Sequence, residues 1–323
     1  MRRALPVLMV ALIVSAGCSS SGDSVATESP ASPTTAGATT SSSPTRTSAA
    51  TTSTPDPSTT TTPPATTTTT AAPAGDPTSL VISRLYVVGA WDGTGWLEID
   101  PLAAGNIPAE EGDSYQVSMV GQPGGGTTVG GAPEEVCEPM GIHGIPTFPE
   151  LFYEFGEASP IAVRADWDIA PRSGELLDPA PTVYVDAARD FLISRGIADP
   201  VVELEQVVRV DLEGDGVDEV IMVGERFDQF FQVEPGEYSF VLLRKVVEGE
   251  VQTAVLGAAI PVDETEGELF LSFRLSSLAD LNGDGQLEIV TNETYYEGTA
   301  TVVWDYVNDD LGPVVVMSAG CGA

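Results

Sequence analysis

Asp280-Leu281-Asn282-Gly283-Asp284-Gly285-Gln286-Leu287-Glu288-Ile289-Val290 sets oxygen-bearing side chains at its first, third, fifth and ninth positions. Gly285 stands sixth, where the backbone must turn sharply. That alternation points carboxylates and an amide oxygen at one centre, the way a hard cation such as Ca²⁺ is held by about six to eight oxygens. A second copy, Asp211-Leu212-Glu213-Gly214-Asp215-Gly216-Val217-Asp218-Glu219-Val220, lies upstream. The same residue types also make tight Asx turns without a metal, so turn and cation readings both stand on the residues alone.

Both loops run into β-type sequence, Val220-Ile221-Met222-Val223 in one case and Ile289-Val290-Thr291-Asn292 in the other. The pattern after them repeats. The first copy continues with a strand over Val220–Gly224, another over Tyr238–Val247, a turn at Glu248-Gly249-Glu250 and a strand over Val251–Leu256. The second has strands over Ile289–Asn292, Thr299–Val307 and Pro313–Ser318, with a turn over Asn308–Gly312. Each unit is therefore expected to be a loop followed by a three-stranded meander, within residues 201–323.

Asp-x-Asn-Gly-Asp-Gly-x-x-Glu-Ile-Val resembles the calcium loop of FG-GAP (integrin α-type) repeats, in which the loop leads into a β-strand. The resemblance implies Asp280, Asn282, Asp284, the Gln286 carbonyl and Glu288 as ligands of structural Ca²⁺. By the same rule the other loop offers Asp211, Glu213, Asp215, the Val217 carbonyl and Glu219. This chain departs from the family at Glu213, a methylene longer than the usual Asp or Asn, and in having Glu at both ninth positions. Two copies do not imply a closed propeller. An EF-hand reading fits less well, because Met222 and Thr291 stand where that loop has its twelfth-position acid. Affinity in the range of extracellular modules, roughly 0.1–1 mM, is expected.

Residues 80–200 read as a β-rich region with one helix. Leu85–Ala90 and Gly95–Ile99 flank Trp91-Asp92-Gly93-Thr94, an N-terminal β-hairpin signal. Tyr115–Val120 and Ile161–Val163 are short strands. Gly121–Pro133 is a glycine-rich loop without the Lys-Ser/Thr ending of a phosphate-binding loop. His143, the single histidine, falls in an expected loop, and no Gly-x-Ser-x-Gly elbow accompanies it. Thr182–Arg195 is an amphipathic helix: Thr182 can cap it, Tyr184, Ala187, Ala188, Phe191 and Leu192 form its apolar stripe, and Gly196 stops it. The fold class is mainly β with minor α, and residues 80–323 are read as one structural unit.

Arg2-Arg3, the apolar run Ala4–Val14 and the small residues Ser15-Ala16-Gly17 before Cys18 read as a signal peptide over residues 1–17. They resemble a bacterial lipobox, with Ser15 where Leu is usual, which implies a lipidated Cys18. Residues 18–79 are almost wholly Thr, Ser, Pro and Ala, a disordered stalk that cannot bury enough apolar surface to fold. Cys137 and Cys321 then remain as a disulfide pair in an oxidising compartment. The ending Met317-Ser318-Ala319-Gly320-Cys321-Gly322-Ala323, with the lipobox and stalk, is similar to a group of actinobacterial exported lipoproteins. The location implied is the outward face of the bacterial cell membrane, or otherwise secretion.

The chain carries 13 Lys+Arg against 48 Asp+Glu, a net charge of −35. Such a surface repels nucleic acid and anionic headgroups and attracts cations. The leading functional expectation is a non-enzymatic, calcium-braced binding domain for an envelope polysaccharide or protein. Phe230, Phe231, Tyr295, Tyr296 and Trp304 are candidates for its binding face. The alternative is an exported hydrolase of glycans or esters using Asp166 and Asp168, paired acids on one strand face.

Overall fold

Runs such as Val220-Ile221-Met222-Val223 and Phe240-Val241-Leu242-Leu243 leave no polar face, so the strands they form must be covered on both sides. The computed structural model describes residues 77–83, 86–99, 108–122, 125–136, 142–146, 157–227, 233–261, 270–305 and 313–322. All of them belong to one unit, Thr68–Ala323. The expected signal peptide, lipidated Cys18 and stalk lie outside the described residues, as does Cys137. Cys321 is disulfide-bonded.

The first half of the unit contains β1 (Ser79–Ile82), β2 (Val87–Trp91), β3 (Trp96–Leu97), β4 (Ser114–Ser118), β5 (Gly126–Val129), β6 (Pro133–Val136), β7 (Ile142–Pro146), β8 (Ile161–Ala165) and β9 (Glu175–Leu176). Helix α1 (Thr182–Ser194) follows. The second half contains β10 (Leu204–Val210), β11 (Glu219–Arg226), β12 (Tyr238–Val247), β13 (Glu250–Ala259), β14 (Leu271–Ala279), β15 (Glu288–Tyr295), β16 (Gly298–Asp305) and β17 (Val314–Gly322). These strands form three antiparallel sheets, ordered β3-β2-β1-β8-β4-β5, β13-β12-β11-β10-β9 and β14-β15-β16-β17, and a separate β6-β7 ribbon. None closes into a barrel, and the chain is mainly β as its sequence implies.

The β14–β17 sheet is the middle layer. Val290, Val303 and Met317 pack with Leu80, Ile82, Ala162 and Val163 of the first sheet. On the opposite face Leu275, Leu278 and Ile289 pack with Val208, Ile221, Val223, Val241 and Leu243. The far side of that second sheet, through Val207, Met222, Phe240 and Leu242, is covered by Ala188 and Leu192 of α1. Successive residues thus serve different cores, Ile221 one and Met222 the next, as the two-residue side-chain period of a strand requires. The first interface is partly polar: Tyr86 Oη lies 3.0 Å from Thr301 Oγ1, Asn292 Nδ2 donates to Thr301 Oγ1 at 2.9 Å, and Ser277 Oγ donates to Ser118 Oγ at 2.5 Å.

Several elements differ from the sequence expectation. Each meander has four strands, because β10 and β14 precede the loops and pair with β11 and β15. The turn after β12 is a two-residue hairpin, with Glu248 at φ 53° and Gly249 at φ 84°, the left-handed pair that matches strand twist. Within Gly121–Pro133 a strand forms, β5, paired with β4. His143 lies in β7 rather than in a loop, and its side chain falls outside what is described. Thr182 does not cap α1: Pro181 is the N-cap and makes no side-chain bond, so Thr182 becomes the first helical residue. Proline's fixed φ leads the chain into the helix there, and its carbonyl accepts from Tyr184 and Val185. The stop is as expected. Gly196 N–H bonds Ile193 O and Ile197 N–H bonds Leu192 O, a Schellman pair. The turn expected over Asn308–Gly312 lies outside the described residues.

Candidate metal loops and their cradle

Both Asp-Gly loops join the first and second strands of their meanders, Asp211–Asp218 between β10 and β11 and Asp280–Leu287 between β14 and β15. Their second-position leucines anchor them: Leu212 and Leu281 are fully buried, each in a different core. Their fourth and sixth positions are glycines in the left-handed region, Gly214 and Gly216 at φ 75° and 85°, Gly283 and Gly285 at 80° and 86°.

In the second loop, Asp280 Oδ1 accepts from Gly283 N–H at 2.6 Å and Oδ2 from Gly285 N–H at 3.0 Å. Asn282 Oδ1 accepts from Asp284 N–H at 2.9 Å, and Asp284 Oδ1 from Gln286 N–H at 2.8 Å. Glu288 Oε2 accepts from Leu281 N–H at 2.5 Å, whereas Oε1 is buried with no hydrogen-bond partner among the described residues. Burial pushes the Glu288 carboxyl well above the ordinary carboxylate range, and raises Asp280 as well. A carboxylate desolvated in this way would be stabilised by positive charge placed beside it.

The first loop repeats much of this. Asp211 takes Gly214, Asp215 and Gly216 N–H, Asp215 Oδ1 takes Val217 N–H at 2.8 Å, and Glu219 Oε2 takes Leu212 N–H at 3.0 Å. Burial again raises Glu219. The difference is at the third position, where Glu213 pairs with Lys245, the chain's only lysine. A side-chain cation is thus ion-paired with an acid of this loop, whereas among the described residues no acid of the second loop has an ion-pair partner.

A short segment between β8 and β9 cradles both loops, and the sequence did not disclose it. Trp167 Nε1 donates to Asp280 O at 2.9 Å, and a Cβ added at Gly283 would come within 3.2 Å of the Trp167 ring. Ile169 O accepts from Asp280 N–H at 2.8 Å. Arg172 then donates from Nε to Asp211 O at 2.7 Å and from Nη2 to Leu212 O at 3.0 Å and Gly285 O at 2.6 Å, so one guanidinium holds both loops. The loops also touch directly, Leu287 N–H to Leu212 O at 2.9 Å. Gln116 of β4 fixes the cradle, its Nε2 donating to Trp167 O at 2.6 Å and its Oε1 accepting from Ile169 N–H at 3.3 Å. The one available signal was scarcity: in a chain of 13 cationic residues against 48 acids, any arginine beside an acidic loop invites attention.

Among the described residues, no three His, Cys, Asp or Glu side chains form a group positioned to hold a metal ion. The donor set nonetheless fits a hard cation: it is all oxygen, and it leaves Glu288 Oε1 buried and unmatched. Asp166 and Asp168 are both exposed, and Asp168 Oδ1 accepts from Ala170 N–H at 3.0 Å, capping its own turn. Of the aromatic candidates, Phe230 and Phe231 lie outside the described residues, Tyr295 is half-buried, Tyr296 is exposed, and Trp304 is half-buried with Nε1 donating to Thr291 Oγ1 at 3.0 Å. No helix among the described residues is long and apolar enough to cross a membrane. Compared with family models, with curated proteins and with solved structures, the chain matches none.

Proposed function

We propose that this is an exported, lipid-anchored, non-enzymatic protein whose β-rich unit is a calcium-braced interaction module of FG-GAP type. The observation that carries the reading is the joint cradle: two Asp-Gly loops hydrogen-bonded to each other and to one arginine, with a buried, unmatched Glu288 oxygen. In the second loop Asp280, Asn282, Asp284, the Gln286 carbonyl and Glu288 would hold the ion. In the first, Asp211, Glu213, Asp215, the Val217 carbonyl and Glu219 would do so, with Lys245 as a competitor for Glu213. Bound Ca²⁺ would supply the positive charge that the desolvated carboxylates lack, and its role is bracing.

Thermal unfolding of the full chain in EDTA and in rising Ca²⁺ tests this. Saturation at a hundred times the dissociation constant should stabilise by about 2.7 kcal/mol per site. Asp284→Ala should remove most of that gain and Asp215→Ala a smaller part. Identical unfolding with and without Ca²⁺ would reduce both loops to turns and end the reading.

A further inference from the structure

On the middle sheet, the face turned toward β11–β13 meets them chiefly at the edge strand β14, through Phe273, Leu275 and Leu278. Register fixes what lies on the remainder. Phe273, Glu293, Ala300 and Gly320 are paired in one row across all four strands, and the next row is Leu275, Thr291, Val302 and Ser318. Ile289, Trp304 and Val315 make the third. With Ala and Gly at the outer end of the first row, the floor is shallow beside Glu293. One wall is formed where β13 packs on Phe273; a Cβ at Gly257 would stand 2.5 Å from that ring. The other end is closed by Trp304 and the half-exposed Val315. The groove so formed holds about 590 Å³, within the rough range of 300–1,000 Å³ of small-molecule sites.

Glu293 is its one charged lining residue among those described, and its carboxylate has no hydrogen-bond or ion-pair partner among the described residues. Partial burial raises its carboxyl above the ordinary range, with no neighbouring charge contributing. An anionic ligand is disfavoured by that carboxylate and by a net charge of −35. A cation is favoured by Glu293, and Trp304 at the far end offers an apolar ring to the rest of a ligand. Along β16, Ala300 and Trp304 are four residues apart, roughly 13 Å at strand rise.

We propose that this groove is a binding site for a free small organic cation, an ammonium or guanidinium group at Glu293 with an apolar or aromatic body lying over Val302 toward Trp304. Size argues for a whole small molecule rather than one side chain of a partner. The site gives the interaction module a ligand class; it stands on the groove and is independent of metal in the loops.

Calorimetric titration of the full chain with tryptamine, in EDTA and again in Ca²⁺, tests it. Tryptamine should bind and indole-3-acetate, the same body with the opposite charge, should not. Glu293→Gln should weaken tryptamine by about tenfold or more, the loss expected for a charge-assisted contact. Ala300→Leu, which fills the floor, should weaken it too, and neither variant should lower the thermal midpoint appreciably. Equal binding of the amine and the acid, or full binding by Glu293→Gln, overturns the proposal. So does a lysine-containing pentapeptide that binds more tightly than tryptamine, since the occupant would then be a protein segment. Binding in EDTA with no calcium response supports the groove while removing the loop reading; a calcium response with no tryptamine binding does the reverse.

Discussion

Arg172→Ala is expected to cost on the order of 4 kcal/mol of unfolding free energy, a large loss for a half-buried side chain. The guanidinium makes three charge-assisted bonds to backbone carbonyls, at 2.6, 2.7 and 3.0 Å, on two loops that are about 70 residues apart in sequence. Each such bond contributes roughly 1.5–3 kcal/mol, and the losses overlap because one side chain makes them all. Without it the carbonyls of Asp211, Leu212 and Gly285 lose the donor they share. Arg172→Lys should recover only part of the loss, because an ammonium cannot span three acceptors set in a fork. Urea unfolding at fixed Ca²⁺, with the slope unchanged, is the measurement. A loss below about 1 kcal/mol would mean the loops hold each other without the arginine.

Trp167→Ala is the second large effect, about 3 kcal/mol. The indole lies on Gly283 and donates to Asp280 O at 2.9 Å, so it sets both the floor and the first residue of the second loop. Its loss should also blunt the calcium response of that loop while sparing the first, to which Trp167 makes no hydrogen bond among the described residues. Trp167→Phe separates the two contributions: it keeps the ring on Gly283 and loses one hydrogen bond, about 1 kcal/mol. If Trp167→Ala removed the response of both loops equally, the cradle would have to be treated as one site rather than two.

What could be read from the sequence was whatever is written in short spacing. The two loops announce themselves in nine residues each, the helix in its 3.6-residue stripe, and the strands after each loop in unbroken apolar runs. The strands before the loops were harder. β14, Leu271–Ala279, carries three serines, Ser272, Ser276 and Ser277, and reads as polar, yet all three are buried. They are tolerated because Ser276 and Ser277 find Ser159 O and Ser118 Oγ across the interface, partners more than 100 residues away. Arg172 was illegible for a related reason: its acceptors are backbone carbonyls, and a carbonyl has no letter in the sequence. Glu293 looked like any strand acid until the register placed it between Phe273 and Ala300.

The layer order has a consequence for how the chain is made. Of the three large sheets, the one that comes last in the chain is the one that lies in the middle. Two of the three apolar cores therefore require Val290, Val303, Leu275 and Ile289 before they exist. A chain emerging from synthesis can pair β10–β13 and dock α1 on them, since among the described residues that core draws nothing from β14–β17. The first sheet, although made earliest, has only its own apolar face exposed until the final strands arrive. Such a chain forms one core early and completes the other two only with its last strands, so a product that stops before β14 lacks two of its three apolar cores.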